Sequence, residues 1–198
     1  MYRRLPVVAF LLIAVTVGAC RRESPEPPPP PPPVQQTDDD EAARLEAQRI
    51  ADSIAAVRAA EEAAQRQREA AAAAARAILE QRVHFDFDES RIRTDAEQVL
   101  RQKVEVLRSS PDVRLRIEGH TDERGSAEYN QALGSRRAQA ILDYFLEYGL
   151  SESRFVITSF GEERPLVNRS DEEAWAQNRR AEFIITAGAD QINPPGSN

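Results

Sequence analysis

The stretch VRLRIEGHTDERGSAEYNQALGSRRAQAILDYFLEYG, residues 113–149, decides the fold. From Val113 to Glu118 apolar and charged residues alternate, the period of a strand with one buried and one solvated face. A polar loop, Gly119 to Gly125, follows. From Ser126 to Tyr148 the pattern changes to helical spacing, and Gly149 supplies the usual C-terminal stop. Working outward, Val83 to Phe87 alternates as a strand. Thr94 with Glu97 has the form of a capping box ahead of Val99, Leu100, Val104 and Leu107 at helical spacing, and Ser109 to Asp112 ends that helix. Phe155 to Phe160 reads as a third strand, Asp171 to Asn178 as a short helix, and Ala181 to Thr186 as a last strand. The expected fold class is α/β, an α+β sandwich: a mixed sheet of about four strands with helices packed on one face.

The loop between strand and helix is the candidate site, because such loops hold ligands and a helix start exposes N–H donors. Asn130, Leu133, Arg137 and Ile141 form one stripe of the following helix, at steps of 3, 4 and 4. Leu133 and Ile141 should face the core, so Arg137 lies on a partly buried face where a guanidinium needs a partner, with Asp122 a plausible one. An Asp and an Arg held apart at a pocket rim suit a zwitterion. Two plainer roles stay open: Asp122 as a loop or helix cap, and Arg137 as an internal ion-pair partner. A hydrolase built on His120, Asp122 and Glu123, with His84, is the competing class. Neither the HExxH nor the GxSxG pattern is present, and the chain is read as non-enzymatic, with no cofactor.

The 198 residues carry a net charge of −7, with 41% hydrophobic and 30% charged residues. No basic stripe is available for a phosphate backbone, which speaks against nucleic acid as a partner. Lys103 is the only lysine. Cys20 is the only cysteine, so an internal disulfide and a thiolate metal cluster are both excluded.

Composition divides the chain at residues 1–19, 20–37, 38–82, 83–187 and 188–198. The first segment has Arg3 and Arg4, an apolar run from Val7 to Val17, then Gly18 and Ala19: a secretory signal, well short of the roughly 20 apolar residues of a membrane-spanning helix. Val17-Gly18-Ala19-Cys20 resembles the bacterial lipobox, in which the cysteine is cleaved to the N-terminus and acylated. Two or more acyl chains hold a protein stably on a membrane. Arg21, rather than Asp, implies the outer membrane by the same resemblance. Pro27 to Pro33 predicts a polyproline II rod, and Pro25 to Pro33 would extend roughly 28 Å. Residues 38–82 open on Asp38, Asp39, Asp40 and Glu41 and are rich in Ala, Glu, Gln and Arg, which predicts a spacer helix of roughly 67 Å. Leu45, Ile50, Ile54 and Val57 do not keep a heptad, so a solvated single helix is preferred to a coiled coil. Residues 188–198 are expected to be a disordered tail.

The run IEGHTDERGSAEYNQALGSRRAQAILDYF, with VHFDFDES, SFGEERP and DEEAWAQNRRAEF in order around it, is similar to the OmpA-like peptidoglycan-binding domain family, in its lipoprotein branch. The resemblance implies non-covalent binding of meso-diaminopimelate in the peptidoglycan stem peptide. Asp122 would pair with the ligand's side-chain ammonium and Arg137 with a carboxylate. Phe87 and Asp88 would shape the rim and His120 and Thr121 the strand end, Asn130 and Leu133 match the family's helix positions, and Arg179 matches its paired arginines near the last strand. The implied protein is lipid-anchored through Cys20 in the outer membrane, faces the periplasm and tethers the membrane to the wall. A periplasmic propeller protein of the Tol system is the implied second partner, in envelope constriction during division; a wall-binding lipoprotein outside that system is the runner-up. Alanine at Asp122 or Arg137 is expected to abolish wall binding and leave the fold intact. Gly134 stands where many relatives have Ser, with little effect expected. The 38–82 helix is longer than is usual, and Trp175 is expected to pack.

Overall fold

The computed structural model describes residues 38–197, so the leader, the lipobox with Cys20 and the proline run lie outside the described residues. In chain order the elements are α1 (Asp38–Glu80), β1 (Val83–His84), α2 (Thr94–Ser109), β2 (Arg114–His120), α3 (Ala127–Glu147), a 3-10 turn (Glu152–Arg154), β3 (Phe155–Gly161), α4 (Glu172–Asn178) and β4 (Arg180–Ala187). Two units are distinguished, residues 1–49 and 50–198. Of the first, residues 38–49 are helical with exposed side chains. All that follows concerns the second. Among the described residues no helix is long and apolar enough to cross a membrane.

The sheet has the order β1–β4–β2–β3. β2 is parallel to β3 and antiparallel to β4, and β4 is antiparallel to β1, so the sheet is mixed as expected. The alternation in β2 sorts its side chains: Leu115 and Ile117 are fully buried and join Leu100, Val104 and Leu107 of α2 and Ile141 and Phe145 of α3 in one core. Arg116, Glu118 and His120 emerge on the opposite face. α3 starts at Ser126, whose hydroxyl accepts from Tyr129 N–H at 3.2 Å. It ends in a Schellman motif, with Gly149 at φ +79, Gly149 N–H on Leu146 O at 2.9 Å and Leu150 N–H on Phe145 O at 3.2 Å.

Four expectations are corrected. The first strand stops at His84 rather than Phe87: Phe85 N–H still donates to Arg179 O at 2.9 Å, but a turn then closes from Glu89 N–H to Asp86 O, with Asp88 left-handed at φ 58. Thr94 is not a cap. It is already the first helical residue, the N-cap is Arg93, whose side chain makes no capping bond, and the first-turn N–H groups are met by Asp95 Oδ1, on Ala96 N–H at 3.0 Å, and by Arg93 O, on Glu97 N–H. The C-terminal segment is not a loose tail in residues 188–197. Ile192 is 6% exposed, Asn193 N–H bonds the Ser110 hydroxyl at 2.9 Å and Gly196 N–H that of Ser109 at 3.1 Å, because two serine hydroxyls at the end of α2 accept from its backbone and Ile192 joins the core. Gly134 is not a neutral position. A Cβ on it would lie 2.3 Å from Ser159 Oγ and 2.9 Å from Gly119 O, and one on Gly119 would lie 1.9 Å from Gly134 O, so α3 rests on β2 backbone to backbone.

The folded unit also begins before residue 83. Ala75 and Leu79 of α1 are buried in the core, and the buried Lys103 donates from Nζ to Ile78 O and Leu79 O, both at 2.7 Å. That places a donor on the free carbonyls at the end of α1, with the Phe183 ring centroid 3.8 Å from the amine. Burial pulls the Lys103 ammonium down to about 6, against a weaker opposing pull from Glu80.

Candidate functional site

The register of β2 against β3 shifts at Gly119/His120, and Thr121 N–H bonds Gly161 O at 2.9 Å, so the chain leaves the sheet in a fixed direction. Asp122 follows immediately and is only 4% exposed. A buried carboxylate requires partners. Its Oδ1 accepts Arg124 N–H at 3.2 Å and Arg124 Nε at 3.3 Å; its Oδ2 accepts Arg124 Nη2 at 2.7 Å and Arg179 Nη1 at 3.2 Å. Burial pushes the Asp122 carboxyl up, but the hydrogen bonds from Arg124 and Arg179 outweigh it and hold the group below the usual aspartate range.

Arg137 is fully buried but does not pair with Asp122 as expected. Its Nε donates to Glu89 O at 2.8 Å, Nη1 to His120 O at 2.7 Å and Nη2 to Asp86 O at 3.1 Å. Three backbone carbonyls from two loops, rather than a carboxylate, satisfy it, with the Phe85 ring 5.0 Å away. Burial draws its pKa down to about 10, partly offset by nearby Asp122, so it stays charged at neutral pH. A guanidinium has five N–H groups, so two remain, one on each Nη.

Around these groups lies a cavity of about 190 Å3 lined by Phe87, Asp88, Thr121, Asp122, Asn130, Leu133, Arg137 and Arg179, together with Arg124, Gly125 and Tyr129. The first eight are among the expected site residues, drawn from the turn after β1, the β2–α3 loop, α3 and the junction between α4 and β4. Thr121 Oγ1 is buried without a partner, a free donor and acceptor among the lining groups. Asn130 Nδ2 bonds Arg124 O at 3.2 Å and also Glu162, and Tyr129 donates its hydroxyl to Asp88. Anionic and cationic groups therefore share one small enclosure.

His120 is the exception. Its imidazole does not line the cavity: it lies on the far face of the sheet, stacked on Phe160 with ring centroids 5.6 Å apart, and only its carbonyl serves the site. Residue parity explains this, because His120 continues the outward row of Arg116 and Glu118. Burial pushes the His120 pKa down to about 4, helped by Arg180, so the ring is neutral. Donor atoms of Glu118, His120 and Glu182 come within 4.8 Å of one another, as metal ligands would. Arg116 at 2.6 Å from Glu118, and Arg180 at 2.7 Å and Arg82 at 3.0 Å from Glu182, already neutralise both carboxylates, so a divalent cation would enter a positive surrounding.

The sequence reading missed Arg124 and Tyr129 among the lining residues, while Trp175 packs, its ring against the Arg124 guanidinium. Arg124's guanidinium lies between the Phe87 ring, at 4.0 Å, and the Trp175 ring, at 4.2 Å, and Trp175 Nε1 donates to Glu123 at 3.1 Å. The Asp122-x-Arg124 spacing in a tight loop was the one available signal; the facing rings come from distant segments.

A mixed four-stranded sheet with helices on one face carries, at a strand-to-helix junction, a small enclosure lined by groups of both charges, the arrangement of an α/β domain that binds a small charged ligand. Comparison with known proteins agrees. The OmpA family profile matches residues 84–179. The chain is 42% identical over 104 residues to the peptidoglycan-associated lipoprotein of Agrobacterium fabrum, covering 52% of this chain and 59% of that protein. It is 44% identical over 100 residues to that of Pseudomonas aeruginosa, covering 50% and 59%. The crystal structure of the peptidoglycan-associated lipoprotein from Burkholderia pseudomallei superposes with a TM-score of 0.52 at 38% identity, over 53% of this chain and 89% of that one. The C-terminal domain of Helicobacter pylori MotB shares the fold, with a TM-score of 0.52 at 18% identity over 56% and 88%. The chain belongs to the OmpA family. Its match spans about three fifths of the length of the curated relatives, 59% in both proteins above.

Proposed function

We propose that this protein is an outer-membrane lipoprotein that tethers the membrane to the cell wall, its folded domain holding the meso-diaminopimelate of the peptidoglycan stem peptide non-covalently. The observation that carries this reading is the cavity itself. It combines a buried, ionised Asp122, the two free N–H groups of Arg137 and the unpartnered Thr121 hydroxyl. A ligand with an ammonium at one end and a carboxylate beside it answers all three. Relatives at 42% and 44% identity carry the name peptidoglycan-associated lipoprotein, which supports the same reading. In this account Cys20 bears the acyl chains, residues 20–37 and the exposed part of α1 are the spacer, the folded unit from the buried end of α1 onward is the wall-binding domain, and the site faces the periplasm. His120 contributes only through its carbonyl.

The finer part of the proposal is a place in the Tol system, with a periplasmic propeller protein as alternate partner during constriction. A wall-binding lipoprotein outside that system is the second reading.

The test is co-sedimentation of the full chain, purified in mild detergent, with isolated peptidoglycan. The parent should sediment, meso-diaminopimelate should compete it off, and Asp122→Ala should stay in the supernatant. A parent chain that does not sediment overturns the proposal.

A further inference from the structure

The cation position on Asp122 is already taken, and by the chain itself. Arg124 places Nη2 2.7 Å from Asp122 Oδ2 and Nε 3.3 Å from Oδ1, covering both carboxylate oxygens. Its guanidinium is held between the rings of Phe87 and Trp175 at 4.0 and 4.2 Å, a flat cation between two π faces. The second arginine on Asp122 differs in kind. Arg179 is 9% exposed in its side chain and is fixed by Glu172 at 2.9 Å and by Phe85 O at 3.3 Å. Arg124 is 30% exposed in its side chain, and its remaining side-chain partner is the rim carboxylate Glu172, at 3.5 Å and itself 65% exposed. Arg124 has a way out to solvent, and Arg179 does not.

We infer that Arg124 is a built-in competitor for the ligand's ammonium and thereby sets the affinity of the site. The inference rests on the diaminopimelate-type reading above. Binding exchanges one cation for another on Asp122, so the buried carboxylate is never left unpaired. The released guanidinium moves out from between the rings towards Glu172 and solvent. Apparent affinity is then the intrinsic affinity reduced by the fraction of molecules in which Arg124 has withdrawn. A partly exposed ion pair reinforced by two cation–π contacts holds that fraction to about one in five to one in thirty.

Trp175 is the only tryptophan, so its emission reports the departure of Arg124 from its face. The experiment compares the full chain with Arg124→Ala and Arg124→Gln, the latter retaining a polar stem between the rings without the charge. Each is titrated with meso-diaminopimelate by Trp175 fluorescence and, in parallel, co-sedimented with peptidoglycan; a thermal melt confirms that each variant is folded. Both variants should bind about 5- to 30-fold more tightly than the parent. The parent's emission should shift on ligand addition towards that of ligand-free Arg124→Ala, whose own emission should respond little. If the parent binds and both folded variants bind equally or more weakly, Arg124 is a bystander or a direct ligand contact, and the inference is overturned while the proposed function stands. If the parent binds neither probe, the proposed function fails first and the competitor role falls with it.

Discussion

Replacing Arg137 with alanine should unfold the domain before it weakens any ligand. The guanidinium is fully buried and its three hydrogen bonds, at 2.7, 2.8 and 3.1 Å, end on carbonyls of residues 86, 89 and 120. Hydrogen bonds from a charged donor each contribute about 1.5–3 kcal/mol, and three carbonyls left unpaired in a dry site add their desolvation. Relief of the buried charge offsets part of this, because burial already draws the arginine's pKa down to about 10. A net loss of about 4 kcal/mol is expected, close to what breaking a buried charged network costs. For a domain of this size that corresponds to a fall in Tm of roughly 15–30 °C. α1 carries about half of the helical residues and so about half of the amplitude of a melt followed at 222 nm, which makes near-ultraviolet circular dichroism of the folded unit the better probe. Arg137→Lys, which can reach only some of the three carbonyls, should fall between. An Arg137→Ala protein that melts within a few degrees of the parent refutes the view of Arg137 as a staple between loops. It would restore the simpler expectation of a binding residue whose loss spares the fold.

Three further outcomes follow from the same contacts. The Lys103 pKa is drawn down to about 6, so between that pH and about 10 the unfolded chain binds a proton that the native chain does not. Stability should therefore rise with pH across that window, by up to about 1 kcal/mol per unit, and Lys103→Met should abolish that rise in urea titrations at pH 7, 8 and 9. Gly119→Ala, with its Cβ 1.9 Å from Gly134 O, should destabilise by about 3 kcal/mol or fail to fold, and Gly134→Ser by about 1–3 kcal/mol, both read as urea midpoints. Asp122 is held below the usual aspartate range, so peptidoglycan co-sedimentation should persist through pH 5 and decline only at more acid pH. Loss of binding near pH 5 would show that the carboxylate is not stabilised as described.

The legible parts were those governed by local periodicity and end chemistry. Leu115 and Ile117 announce β2 by alternation, and Ser126 and Gly149 bound α3 by their capping chemistry. The stripe Asn130, Leu133 and Arg137 correctly placed three lining residues on one helix face. Phe87, Asp88 and Arg179 came from resemblance, since no spacing relates them to the loop. Local rules failed where a single residue of offset mattered. Thr94 reads as a cap but lies inside the helix, and His120 adjoins the site in sequence but points through the sheet. The C-terminal segment lacks any periodic pattern, and its docking depends on hydroxyls that α2 presents about 85 residues earlier in the chain.

By itself, the amino-acid order determines the succession of strands and helices, the buried faces of β2 and α3 and the gathering of acidic and basic groups at the β2–α3 loop, because strand parity and helical phase are properties of neighbouring residues; the mixed strand order β1–β4–β2–β3 is settled by packing. Only the tertiary structure decides which charge meets which. Arg137 is taken by carbonyls, Asp122 by Arg124 and Arg179, and Arg124 by two rings from residues 87 and 175. Pairing of buried charges depends on distances set by the packing of remote segments, and in a low-dielectric interior a shift of a single residue position exchanges one partner for another.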